Sequence, residues 1–254
     1  MKRITVGVFK LTSCSGCINE LIYALVKHPE LLKLIDVKYF TELQDVNALT
    51  EIDVAIIEGS SIRSEHEEIL KKIRELSKVL VSMGTCATLG GVQSLRIGVD
   101  VNEVKKYVYP NPEYVDAYND VKAVSELIQV DLSLRGCPVN GDALASIIKK
   151  IVIGGWPAEV YESLCADCKR AGIECVVVTK GTPCLGPIVS AGCGALCPSF
   201  GRGCYGCYGI KDKDIDSGKI SEMEKALERL GLSRDDFYSL LKGYSMKLVK
   251  SLKI

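Results

Sequence analysis

The sequence predicts an α/β protein: a flavodoxin-like doubly wound parallel sheet over residues 1–155, then a Cys-rich segment with little regular structure and C-terminal helices over residues 156–254. Three observations lead there. Apolar runs of strand length alternate with helical stripes as far as about residue 153, and such alternation puts parallel strands in one sheet with helices on its faces. Eight of the twelve cysteines then fall between residues 165 and 207, among many Gly and Pro and with little periodicity. Past Gly209 a polar linker leads into apolar residues at helical spacing.

Ile4 to Phe9 reads as a buried strand, followed by a Ser/Gly/Cys turn and a helix containing Leu21, Ile22 and Leu25. Ile35 to Phe40 is a second strand, and Val54 to Ile57 a third that ends in Glu58-Gly59-Ser60. Ser64 with Glu67 three residues on is the pattern of a capping box before the stripe Ile69, Leu70, Ile73 and Leu76. Val79 to Met83 is the next strand, ending in Gly84-Thr85-Cys86. After a Pro/Asn/Tyr loop from Tyr107 to Tyr118, Ile128 to Leu134 reads as a strand ending in Gly136-Cys137-Pro138, and Ala143 to Val152 as a helix. Near the C-terminus Ile220, Met223, Leu227 and Leu230 share a helix face, Gly231 is a stop, and Ser233 starts a further helix.

Composition excludes several functions. Thirty-two basic residues balance thirty-two acidic ones, so no electrostatic footprint for nucleic acid is present, and four Phe with one Trp make no base-stacking surface. No apolar run reaches the length of a membrane span, and no apolar h-region follows MKRITVGVFK, so a cytoplasmic protein is expected. Gly90 and Gly91 do not make a dinucleotide fingerprint, and there is no phosphate-binding GxxxxGK motif. His28 and His66 read as surface residues. Glu58 is expected to accept hydrogen bonds from loop amides, to contact a partner, or to serve as a local turn acceptor.

Twelve cysteines in a reducing compartment point to metal rather than disulfides. Cys14, Cys17, Cys86 and Cys137 each follow a predicted strand, and in a doubly wound sheet those ends share one edge. Four thiolates there suit a 4Fe–4S cluster. Cys165, Cys168, Cys175, Cys184, Cys193, Cys197, Cys204 and Cys207 supply ligands for two further four-thiolate centres. Spacing leaves iron–sulfur and zinc both open, and with zinc a stapled scaffold without redox function. Tyr205 and Tyr208 flank the last CxxC and are expected to shield a cluster from water.

The segments CSGCINE, IEGS, GTCATLGGVQ, VSELIQVD, GCP, WP, CADC and PCLGPIVSAGCGALCPSFGRGCYGCYG resemble the small subunit of NiFe hydrogenases, in the cytoplasmic branch with sulfhydrogenase delta and methanogen viologen-reducing hydrogenase gamma subunits. The likeness runs from about residue 4 to 209; the last helices carry no recognisable motif. It implies an oxidoreductase acting on dihydrogen, with electrons relayed by this chain and no catalysis by it alone. It implies a proximal cluster on Cys14, Cys17, Cys86 and Cys137. A distal cluster would take Cys165, Cys168, Cys175 and Cys184, with Cys165 where the wider family has His. A medial cluster would take Cys193, Cys197, Cys204 and Cys207, with Cys197 near a position where periplasmic relatives have Pro. The implied partners are a large subunit with the NiFe site and an acceptor subunit of diaphorase, ferredoxin-like or heterodisulfide-reductase-linked type. A related small subunit in a complex that does not use dihydrogen remains an alternative. The related quinone-reductase subunit differs by having adjacent cysteines in place of CSGC and no eight-cysteine extension. Many relatives carry Glu two residues after the second cysteine; here Asn19 stands there and Glu20 follows. A one-residue step turns a helical side chain by about a quarter turn or more, which argues against proton transfer through Glu20.

Overall fold

The computed structural model describes residues 3–158 and 161–252. Strands β1 (Ile4–Lys10), β2 (Ile35–Phe40), β3 (Ile52–Glu58), β4 (Ser77–Met83) and β5 (Leu132–Leu134) form one sheet in the order β2-β1-β3-β4-β5. All four neighbouring pairs are parallel. This is the flavodoxin-like order, with its switch point between β1 and β3. Helix α1 (Gly16–Lys27) shares one sheet face with α5 (Gly141–Val152), and α2 (Ser64–Leu76) covers the other. In β3, Val54 and Ile56 point toward α1, whereas Ala55 and Ile57 point toward α2. A strand buried on both faces needs apolar residues at every position, which is why β3 reads as an unbroken apolar run.

Three local expectations are corrected. The strand expected from Ile128 is confined to Leu132–Leu134. Before it, the Ile128 amide closes a turn onto Val124 O at 3.1 Å. Asp131 then takes the place of a ladder residue: its Oδ2 accepts from the Leu80 amide at 2.8 Å while its own amide donates to Leu80 O at 2.9 Å. Ser64 is not a cap; the helix starts at Ser64 itself after an extended Arg63, and the hydroxyl faces Asp116 Oδ2 at 3.3 Å. His66 is buried, not on the surface, with ring nitrogens 3.3 Å from the Ile62 amide and 3.0 Å from Arg63 Nε. Burial, then the Arg63 charge, holds its pKa below the usual imidazole range.

Helices α3 (Gly84–Leu89) and α4 (Val101–Val108) follow β4. The cysteine-rich stretch contains three short helices, α6 (Leu164–Arg170), α7 (Val176–Lys180) and α8 (Leu196–Ser199). Its apolar residues Leu164, Leu185, Ile188 and Ile210 form one core with Ile220 and Leu227 of α9 (Ser217–Glu228) and Phe237 and Leu241 of α10 (Arg234–Ser251). The C-terminal helices therefore supply the apolar surface that the cysteine segment lacks. The second starts at Ser233 as the sequence predicts, its Oγ accepting from the Asp236 amide at 3.1 Å; the first starts at Asp216, which accepts from the Lys219 amide at 2.8 Å.

These helices also rest on the sheet region. α10 packs against the short turn at Gly91–Arg96, and Lys250 Nζ donates to Ile97 O at 3.0 Å. Within α10 the backbone is non-helical at Ser245, whose Oγ accepts from the Ile210 amide at 2.9 Å. A kink at a serine that captures an outside donor has a plain local cause. From the end of β5, Arg135 reaches Ser190 Oγ at 2.9 Å, Ile210 O at 2.7 Å and the Asp212 carboxylate. No described helix is long and apolar enough to cross a membrane.

Candidate iron–sulfur sites

The parallel sheet brings Cys14, Cys17, Cys86 and Cys137 to one edge, because each lies in the loop or first helical turn that follows the C-terminal end of a strand. Their charges interact: Cys86 and Cys137 act on Cys17, and Cys14 acts on both Cys86 and Cys137. Burial, the largest influence, pushes the Cys17 thiol up to about 12 and the Cys86 thiol up to about 11. Cys17 is buried, Cys86 and Cys137 are half-buried and Cys14 is exposed; clustered thiolates at such a site are costly alone and become favourable beside bound cationic metal. Backbone amides already lean toward these sulfurs, Val139 on Cys17 and Gly16 on Cys14 at 3.4 Å. A Cβ at Gly84 would lie 2.5 Å from Cys17 Sγ, and one at Gly91 2.6 Å from Cys86 Sγ. Both glycines thus form a cradle that any side chain would fill.

Glu58 stands behind this edge. It is 2 % exposed, and its Oε1 accepts from the Cys17 amide at 3.0 Å. Burial raises its pKa, opposed by the hydrogen bond from Cys17. Of the expected roles, accepting from loop amides is the one the geometry displays. Gln93 does similar work from α3's far side, donating Nε2 to Thr12 O at 2.8 Å and hydrogen-bonding Cys86. Glu20 instead packs its carboxylate where α1 meets α5, within 3.0 Å of the space a Cβ at Gly141 would take.

In the second region Cys165 and Cys168 lie on α6, Cys175 caps α7, and Cys184 follows in the next loop. Cys184 and Cys175 act electrostatically on both Cys165 and Cys168. Cys193, Cys197 and Cys207 form another such group, since Cys193 and Cys197 act on Cys207. Burial pushes Cys207 up to about 11 and Cys204 higher. Cys204 adjoins both groups: its charge neighbours are Cys184, Cys207 and Cys193, and its amide donates to Cys184 Sγ at 3.2 Å. Further amides point at sulfur, Gly186 on Cys184 and Gly206 on Cys204, both at 3.4 Å. Among the described residues, no three Cys, His, Asp or Glu side chains converge as one metal ion requires.

Two backbone features mark the same loops. Ser15 between Cys14 and Cys17 has φ 67, and Ala195 between Cys193 and Cys197 has φ 59. Left-handed non-glycine residues are strained, and such strain gathers at binding sites. Asp167, between Cys165 and Cys168, was not foreseen: its Oδ2 accepts from the Gly192 and Gly194 amides at 2.8 and 3.2 Å, tying the CADC helix to the Cys193 loop. An acidic residue inside a cysteine pair was the available signal. Of the tyrosines, Tyr208 is 5 % exposed, its ring against Gly136 and Gly192, whereas Tyr205 is 47 % exposed.

Residues 14–151 match the family described as "NADH ubiquinone oxidoreductase, 20 Kd subunit". The matched part holds the first four cysteines and ends before Cys165. Sulfhydrogenase 2 subunit delta of Pyrococcus furiosus is 35% identical over 205 residues, 80% of this chain and 85% of that protein. A subunit of the vhu F420-non-reducing hydrogenase of Methanococcus voltae is 32% identical over 246 residues, 85% of each. Among solved structures, a chain of an NAD+-reducing [NiFe]-hydrogenase aligns with TM-score 0.57 at 22% identity over 63% of this chain and 97% of that one. A chain of the Ni-Fe-Se hydrogenase from Desulfomicrobium baculatum aligns with TM-score 0.56 at 16% identity, over 86% and 98%. These two likenesses concern the fold.

Proposed function

Because the chain belongs to the NADH ubiquinone oxidoreductase 20 Kd subunit family, in its hydrogenase small-subunit branch, we propose that it relays electrons in a cytoplasmic NiFe hydrogenase. A partner large subunit would hold the NiFe site and act on dihydrogen. This chain would carry electrons between that site and an acceptor subunit of diaphorase, ferredoxin-like or heterodisulfide-reductase-linked type. The chain does no bond chemistry under this reading.

The observation that carries the proposal is twelve free thiols, four at the sheet edge and eight in the segment that follows, with backbone amides close to several of their sulfurs. An all-thiol donor set, cradled by Gly84 and Gly91 in the first group, suits three 4Fe–4S clusters: proximal on Cys14, Cys17, Cys86 and Cys137, distal on Cys165, Cys168, Cys175 and Cys184, medial on Cys193, Cys197, Cys204 and Cys207. Such clusters, when bound, supply one-electron redox steps. The chain's residues set their environment. Amides at Gly16, Val139, Gly186 and Gly206 offset thiolate charge, Tyr208 and the C-terminal helices exclude water, and Glu58 fixes the turn that carries Cys17.

Anaerobically purified protein is expected to contain about twelve iron and about twelve labile sulfide per chain. The complex with its large subunit is expected to reduce a dye with dihydrogen. Zinc in place of iron would overturn the cluster reading, and full iron without dihydrogen-dependent reduction would overturn the hydrogenase reading.

A further inference from the structure

Thr85 precedes Cys86 at the start of α3 and is 1 % exposed. Its hydroxyl is used twice. Oγ1 accepts from the Gly136 amide at 3.1 Å and donates to Cys207 O at 2.6 Å. The Thr85 amide donates to Gly136 O at 2.8 Å. One side chain therefore joins the turns of Cys86 and Cys137 to the carbonyl of Cys207, 122 residues along the chain.

Thr85 and Tyr208 are both buried at this junction. The Tyr208 ring fits against Gly136 and Gly192, where added Cβ atoms would lie 2.9 and 3.1 Å from it. Holding two sheet turns together needs only the bonds to Gly136. The bond to Cys207 reaches into the other region, and in a dry interior a hydrogen bond is both strong and well oriented.

We propose that Thr85 is a positioning residue for electron transfer, its hydroxyl forming the hydrogen-bonded link between the proximal and medial cysteine sets. The inference rests on the reading that both sets hold clusters. An electron crossing here leaves one centre oxidised by one and the other reduced by one. No covalent bond is made or broken, and the Thr85 proton stays on Oγ1.

The test uses the complete hydrogenase complex, purified anaerobically, with wild type, T85V, T85A and T85S compared. Valine keeps the shape and removes the hydroxyl, alanine removes the hydroxyl without a methyl to misplace, and serine restores it. Iron and sulfide content come first. The magnetic splitting between the two reduced centres and the single-turnover rate of electron passage from dihydrogen to an oxidised dye are then read. With full iron, T85V and T85A are expected to show reduced splitting and a several-fold slower passage, and T85S to return both toward wild type. Wild-type splitting and rate in an iron-replete T85V or T85A would overturn the proposal, as would T85S as impaired as T85V. Loss of iron in both T85V and T85A would also overturn it, making Thr85 an assembly residue. Iron-free wild type would instead overturn the underlying cluster reading.

Discussion

Cys86 and Cys204 both have thiols raised by burial, yet different things bury them. Around Cys86 the packing is that of an ordinary α/β sheet, with Ala87 fully buried among Ile57, Leu70, Ile73 and Leu80. Around Cys204 close backbone approach and sulfur contacts do much of the work: its amide meets Cys184 Sγ, and Gly203 lies so near Pro183 O that a Cβ would overlap it. Beneath that layer the apolar support comes from α9 and α10, which lie later in the chain. The sheet region holds its cysteines with its own core, whereas the second region holds them with borrowed core and metal-ready polar contacts.

Removal of iron tests this contrast most severely. Stripping metal anaerobically with a chelator is expected to abolish amide protection across 161–210, because binding free energy there is folding free energy. Amides of β1, β3 and β4 are expected to stay protected in hydrogen exchange. Equal loss in both regions would erase the distinction.

A pair of substitutions sharpens it. Leu80→Ala opens a cavity in the sheet core and is expected to cost about 3 kcal/mol while leaving iron content unchanged. Gly203→Ala forces the Pro183 and Cys204 segments apart, at about 2 kcal/mol, and is expected to lower iron content as well. Calorimetry and iron assay on the same preparations read both. Gly203→Ala with full iron would show that this close approach is not needed for assembly.

The smallest effect concerns charge in the sheet. Asp53 accepts from the Thr5 amide at 2.9 Å and pairs with Lys78 at 2.7 Å. The Lys78 hydrogen bond first, then the Thr5 amide, holds its carboxyl at about 2 instead of 3.8. A depressed folded-state pKa means the contribution is fully present above the ordinary value and is lost as pH falls from about 4 to about 2. Allowing for partial exposure, that is about 1 to 2 kcal/mol. Urea titrations of wild type and Asp53→Asn across that range should converge at the acid end. A constant gap between them would assign Asp53 a role independent of its charge.

Much of this was legible along the chain. β1 and β3 announce themselves by apolar runs, and Ser233 by its place before a helical stripe, since strand and helix periods are local properties. The four cysteines after strands were readable as one edge because parallel strands all end there. Ile128–Val130 misled, since their apolar side chains fill the α2-side core without forming a ladder. His66 misled because its charged neighbours say nothing about Arg63 folding over it.

Sequence alone determined the α/β alternation, the two cysteine groups and the residue types available as ligands, because periodicity and spacing are written in neighbouring residues. Tertiary structure decided how the groups meet. The Thr85–Cys207 bond, the Glu58–Cys17 bond and the use of α9 and α10 as core for a segment ahead of them join residues far apart in the chain. Such contacts depend on which faces the packed sheet and helices present to each other, and that is fixed only when the chain closes on itself.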